Sequence, residues 1–142
     1  MTGRPNVLLL LTDQERADLL APDGLPVETP NLDRLRTGGT WFDRAYTPVG
    51  ICTSARASLL TGLYPHAHGM LNNSHEADAI RTELPSETPT FGPLLREAGY
   101  EVTYAGKWHV DRRGPEAFGF EYVGGADDVG YDDADLVDPI RT

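Results

Sequence analysis

A chain of 142 residues with 39% apolar content is long enough to bury one domain core. Its net charge of −10 argues against nucleic acid and against an anionic membrane surface as partners. The single cysteine, Cys52, rules out an internal disulfide and suits a reducing compartment.

The chain opens with one basic residue, Arg4, ahead of an apolar run too short for a signal-peptide core or a membrane span, so the expected location is the cytoplasm. Residues 7–11, Val-Leu-Leu-Leu-Leu, are continuously apolar between polar neighbours, the pattern of a strand buried on both faces of a parallel sheet. Asp13 then stands at the carboxyl end of that strand, where open α/β sheets bind their ligands. No Gly-rich turn follows it, which excludes a dinucleotide-binding unit. Residues 21–26 hold two prolines and a glycine and read as a loop. Thr29-Pro30 starts a helix, with threonine as cap and proline in the first turn. Leu32 and Leu35 give it an inner face, and Gly38-Gly39 ends it. Residues 40–46 predict a short strand.

After a Pro48-Val49-Gly50 turn, Cys52 begins a helix that Gly62 stops. A helix N-terminus offers unpaired N–H groups and partial positive charge, so an anion could be held beside Cys52. Arg56, one turn on, shares that face. Taken alone, a lone cysteine reads first as a buried small hydrophobe, and only its neighbours overturn that. Residues 63–87 are rich in Pro, His, Asn and Glu and read as loop. His66, His68 and His75 within it are assigned loop or supporting roles, because hard cations do not favour imidazole. Phe91, Leu94, Leu95 and Ala98 recur at helical spacing, with Thr90 as cap and Gly99 as stop. Residues 101–105 predict a second strand that delivers Lys107 and His109 at its carboxyl end. In extended chain those two share a face, and Trp108 packs to the other side. A strand, crossover and parallel strand would set Asp13 and the Lys107–His109 pair on one rim. The acidic residues from Asp127 to Asp138 predict a solvated loop. With 15 glycines and 11 prolines, the chain is loop-rich, as a site built over strand ends requires.

Five pieces occur in one order: the run from Asn6 to Gln14, Thr29-Pro30-Asn31-Leu32-Asp33-Arg34-Leu35, Cys52-Thr53-Ser54-Ala55-Arg56 continuing through Gly62 to His66, Gly106-Lys107-Trp108-His109, and Gly119-Phe120-Glu121-Tyr122. Together they resemble the N-terminal part of a sulfatase of the alkaline phosphatase superfamily, over nearly the whole chain. The resemblance implies an α/β fold: the N-terminal portion of an alkaline-phosphatase-like sandwich, with a largely parallel central sheet and helices on both faces. It implies that residues 1–142 are an incomplete catalytic domain, lacking the C-terminal metal-binding stretch and small subdomain and inactive alone. The implied reaction is cleavage of sulfate monoesters through a formylglycine made from Cys52, with a divalent cation, calcium first and magnesium or manganese as alternatives. Metal ligands carried over are Asp13, Gln14 and the group derived from Cys52. Arg56, Lys107 and His109 join Cys52 as catalytic residues, and Gln14, Asn73 and Lys107 contact substrate. The implied partners are a small-molecule or glycan sulfate ester and a formylglycine-generating enzyme.

Two features depart from the common pattern. Gln14 replaces the second aspartate of the usual pair, which is similar to choline sulfatases and phosphonate monoester hydrolases, and Asn73 matches a substrate-contacting asparagine of those subfamilies or a plain turn residue. Ser54 stands where the modification signal normally has proline, sometimes alanine. The competing readings are a phosphonate or phosphodiester hydrolase on the same scaffold and a truncated, non-catalytic member.

Overall fold

The computed structural model describes residues 3–19 and 24–124. The acidic run after residue 124 and residues 21–23 of the expected loop lie outside them. The chain divides into two compact units, Met1–Tyr46 and Thr47–Thr142.

In the first unit, a 3-10 turn at Ala17–Leu19 precedes helix α1, Pro30–Gly38. Proline in the first turn removes one of the amide donors that a helix start leaves unpaired. The Thr29 hydroxyl makes no capping hydrogen bond, contrary to its expected role. The Arg36 guanidinium lies 3.3 Å from the Asp33 carboxylate on the helix surface. No described residue of this unit is buried.

Two expected strands are absent here. Residues 7–11 and 40–46 are not in strands, and the side chains of Val7 to Leu11 are 53–81% exposed. A strand exists by virtue of a partner for its backbone donors and acceptors. The one ladder among the described residues joins two strands of the second unit. Leu32 and Leu35, expected to face inward, are exposed for the same lack of a covering layer.

The second unit contains α2 (Cys52–Thr61), α3 (Pro65–His68), α4 (Phe91–Glu97), β1 (Thr103–Tyr104), a 3-10 turn (Pro115–Phe118) and β2 (Glu121–Tyr122). Gly62 closes α2 in the left-handed conformation, φ 70°, its N–H donating to the Ser58 carbonyl. Strands β1 and β2 pair in parallel, Thr103 opposite Glu121 and Tyr104 opposite Tyr122. The second strand thus forms where expected but shorter, and its partner β2 was legible only as part of a motif. This is an α/β arrangement with a small parallel sheet.

One core is formed by Ala57 and Leu60 of α2, Phe118 of the 3-10 turn, and Met70, Leu84, Val102, Trp108, Val110 and Phe120 of the connecting segments, with Phe91 and Leu95 of α4, Tyr100, and Tyr104 of β1 packed against it. Trp108 packs edge-on against Tyr104 at 5.2 Å between ring centroids and lies 5.1 Å from Phe118. The 3-10 turn passes so close to α4 that a Cβ on Gly92 would fall 2.1 Å from the Phe118 carbonyl oxygen. Glycine is obligatory there because only a missing side chain allows that approach. The turn after Val110 is braced by a buried carboxylate. Asp111 accepts from the Leu84 amide at 3.2 Å and from Arg113 Nε at 3.1 Å, while Arg113 Nη2 donates to the Leu84 carbonyl. The hydrogen bond to Asp111, opposed by burial, raises the Arg113 pKa above its ordinary value. No helix among the described residues is long and apolar enough to cross a membrane.

Candidate functional site

The site grows from the first turn of α2. Its first intrahelical bond runs from the Ala55 amide to the Ile51 carbonyl, so the amides of Cys52, Thr53 and Ser54 have no acceptor within the helix. One of the three is satisfied from a distance: Asn73 Oδ1 accepts from the Thr53 amide at 3.3 Å. The fully buried Thr53 hydroxyl donates to the His109 carbonyl at 2.8 Å and accepts from the Ser74 amide at 3.3 Å. One threonine therefore ties together the helix start, the loop around residue 73 and the segment carrying Lys107 and His109.

Arg56, 8% exposed, reaches that same segment. Its Nη1 donates to the Lys107 carbonyl at 2.6 Å and to the Tyr104 hydroxyl at 3.2 Å, and the Tyr104 hydroxyl itself donates to the Lys107 carbonyl at 2.6 Å. The backbone of Lys107 is held from two sides, and its ammonium lies 4.0 Å from the Cys52 sulfur. His109 places its Nε2 against His75 Nδ1. Trp108, between them, turns into the core as its alternation predicts.

Five of the residues named from sequence, Cys52, Arg56, Asn73, Lys107 and His109, thus converge on the first turns of α2. Asp13 and Gln14 belong to the first unit. Among the described residues, Gln14 at φ 55° and His109 at φ 47° are the two non-glycine residues with left-handed backbone, a conformation that costs energy and concentrates at functional positions. Both were singled out from the sequence. Asn73 uses both ends of its amide within the protein, the oxygen on Thr53 and the nitrogen on Glu76 Oε1 at 2.9 Å.

As oxygen donors, Asp13 and Gln14 suit a hard cation. Among the described residues no three His, Cys, Asp or Glu side chains gather as a metal cluster. A thiol is a poor partner for a hard cation, whereas an oxygen-bearing group at position 52 would suit one. The half-buried side chain of Cys52 at an amide-rich helix start beside an ammonium fits such a group.

Sequence reasoning missed Thr53, Tyr104 and the role of His68. Thr53 and Tyr104 carry no signal beyond their places in a helix start and a strand. His68 is 1% exposed, and its Nδ1 accepts from the Met70 amide at 3.1 Å. Its proton is therefore on Nε2, which donates to Ser58 Oγ at 3.0 Å. Burial is the main cause that pushes its pKa below 6.5, opposed by a hydrogen bond to the Ser54 backbone and reinforced by His66. The neutral ring fastens α2 to the turn that follows α3.

Comparison with known proteins agrees with this geometry. A sequence profile of the Sulfatase family matches residues 5–138. The chain is 38% identical to an ulvan-active sulfatase of Formosa agariphila, over 84% of this chain and 24% of that protein. It is 41% identical to arylsulfatase A of Bos taurus, over 79% of this chain and 22% of that protein. The crystal structure of the sulfatase yidJ from Bacteroides fragilis superposes with a TM-score of 0.62 at 25% identity, covering 80% of this chain and 28% of that one. The chain thus spans about a quarter of the length of these relatives. With a profile match over nearly all its residues and its fold shared with a solved sulfatase, the chain belongs to the sulfatase family.

Proposed function

We propose that this chain contributes the nucleophile-bearing part of a hydrolase for sulfate monoesters of small molecules or glycans. The observation that carries this reading is the Lys107 ammonium 4.0 Å from the Cys52 sulfur at the start of a helix. An anionic sulfuryl group at that point meets the positive end of the helix dipole and a fixed cation. Lys107 neutralises its oxygens. Arg56, with its guanidinium on the Lys107 carbonyl, holds the lysine rather than the substrate. His109 receives or returns a proton at the reacting hydroxyl.

Formylglycine at position 52 supplies, when hydrated, a hydroxyl to attack sulfur and a second to release sulfate. A divalent cation, calcium with magnesium or manganese as alternatives, supplies Lewis acidity and would be held by Asp13 and Gln14. The partner that installs the aldehyde is a formylglycine-generating enzyme, acting on a chain in the cytoplasm. The Ser54 amide lies in the first turn, outside the helical ladder, so the usual proline would also be accommodated there.

The test is the mass of the peptide around residue 52 after production with the maturation enzyme. Loss of the thiol in favour of an aldehyde, raised further by Ser54→Pro, is the expected result, with metal-dependent hydrolysis of an aryl sulfate, abolished by Cys52→Ala, once the chain is completed with its missing C-terminal part. An unchanged thiol overturns the mechanism. Gln14 favours a second reading, a phosphonate or phosphodiester hydrolase, since a neutral amide leaves the metal site less negative. Faster turnover of an aryl phosphonate than of the aryl sulfate would select it.

A further inference from the structure

His109 and His75 face each other through ring nitrogens, His109 Nε2 against His75 Nδ1, with ring centroids 4.2 Å apart. One of those nitrogens must carry the hydrogen and the other a lone pair. His109 is 8% exposed, whereas His75 is exposed, so the pair runs from the site to solvent.

The loop that carries His75 is built to hold it. Asn72 donates to the Asp78 carbonyl and accepts from the Ile80 amide, both at 3.0 Å. Asn73 is fixed on Thr53 and Glu76, and the Ser74 amide on the Thr53 hydroxyl. The same hydroxyl holds the His109 carbonyl. Both imidazoles are therefore referenced to one side chain of α2.

We propose that His75 is a positioning residue that fixes the tautomer of His109. His109 Nε2–H donates to His75 Nδ1, which places the His109 lone pair on Nδ1 and leaves His75 Nε2–H to solvent. A proton taken up at His109 Nδ1 is then balanced by transfer of the Nε2 proton to His75 Nδ1 and release of the His75 Nε2 proton to water. The exchange needs no other reactant. Loss of a hydrogen-bond partner that orients a working histidine typically changes activity by about 10–100-fold. The catalytic consequence rests on the sulfatase reading; the tautomer does not.

Nitrogen-15 long-range correlation spectra of the purified chain, above the imidazole titration range, read the tautomer directly. His75 is exposed, so its variants keep the fold. In the wild type and in His75→Asn, whose amide oxygen stands where Nδ1 stood, His109 is protonated on Nε2. In His75→Leu the Nε2–H signature gives way to a mixture. In the matured enzyme His75→Leu lowers kcat about tenfold with KM little changed, and His75→Asn restores it. An identical His109 tautomer in His75→Leu and the wild type overturns the proposal, as does failure of His75→Asn to restore it. If the tautomers respond as stated but neither variant nor wild type of the matured enzyme, completed with its C-terminal part, hydrolyses a sulfate ester, the sulfatase reading fails and the assignment of His75 stands.

Discussion

The first unit carries the apolar run of residues 7–11, yet none of its described residues is buried. The second has no such run and encloses Trp108, Phe118, Phe120, Met70 and their neighbours in one core. Apolar sequence creates a demand for cover; whether it is met depends on what else packs nearby. In the second unit the cover comes from Tyr104 of β1, Phe118 of the 3-10 turn, and Trp108 and Phe120 beside them, packed with α2 and α4. The residues named from the sequence divide along the same line. Cys52, Arg56, Lys107 and His109 rest on the packed unit, where Thr53, Tyr104 and Arg56 tie their segments together, while Asp13 and Gln14 stand on the open one.

Substitutions at matched positions put that contrast at risk. Phe120→Ala removes a side chain touching Phe91, Tyr104 and Trp108 and should cost about 3–5 kcal/mol of unfolding free energy in urea. Leu9→Ala, at a side chain 58% exposed, should stay within about 0.5 kcal/mol. Equal losses would break the comparison. Next in size is Gly92→Ala. Its new methyl meets backbone rather than a yielding side chain, so a loss of about 1–3 kcal/mol is expected. Unchanged stability would show that α4 and the 3-10 turn do not pack so closely.

The contrast also explains what the sequence made legible. Local signals were read correctly: the Cys52 helix and its Gly62 stop, the Pro30 start of α1, the alternation that turns Trp108 inward. Each depends on a few neighbouring residues. The strand at residues 7–11 was misread because a run of leucines shows the wish to be buried and says nothing about the partner strand. β2 was unreadable because two residues, Glu121 and Tyr122, have no period. At the site, the residue types with chemistry of their own were visible, but the residues that hold them, Thr53 and Tyr104, join segments 21 to 56 positions apart.

His68 sharpens the contrast within the packed unit. Its pKa lies below the unfolded value of 6.5, chiefly through burial. Between the folded value and 6.5 the unfolded chain therefore binds more protons than the folded one. The stabilisation is fully present above 6.5 and is lost as pH falls through the folded pKa. His68→Gln should flatten stability against pH in that window, as read by urea denaturation at a series of pH values. Ser58→Ala, which removes the acceptor for the Nε2 proton, should cost about 1 kcal/mol above pH 6.5. A slope unchanged in His68→Gln would place the acid sensitivity elsewhere.

The smallest expected effect has the opposite sign. Gly38 ends α1, and a Cβ there would meet nothing within 4 Å. Its neighbour Gly39 offers no such room, since a Cβ would lie 3.0 Å from the Leu35 carbonyl oxygen. A helix of nine residues with no buried side chain is marginal on its own, so backbone entropy weighs heavily in it. Gly38→Ala should stabilise α1 by about 0.5–1 kcal/mol, a roughly two- to fivefold slowing of amide exchange over residues 34–38. The same glycine-to-alanine change thus costs stability where the chain is packed and adds it where the chain is open. A loss of protection at Gly38→Ala would mean that α1 is already pressed against a surface, and the openness of the first unit would have to be abandoned.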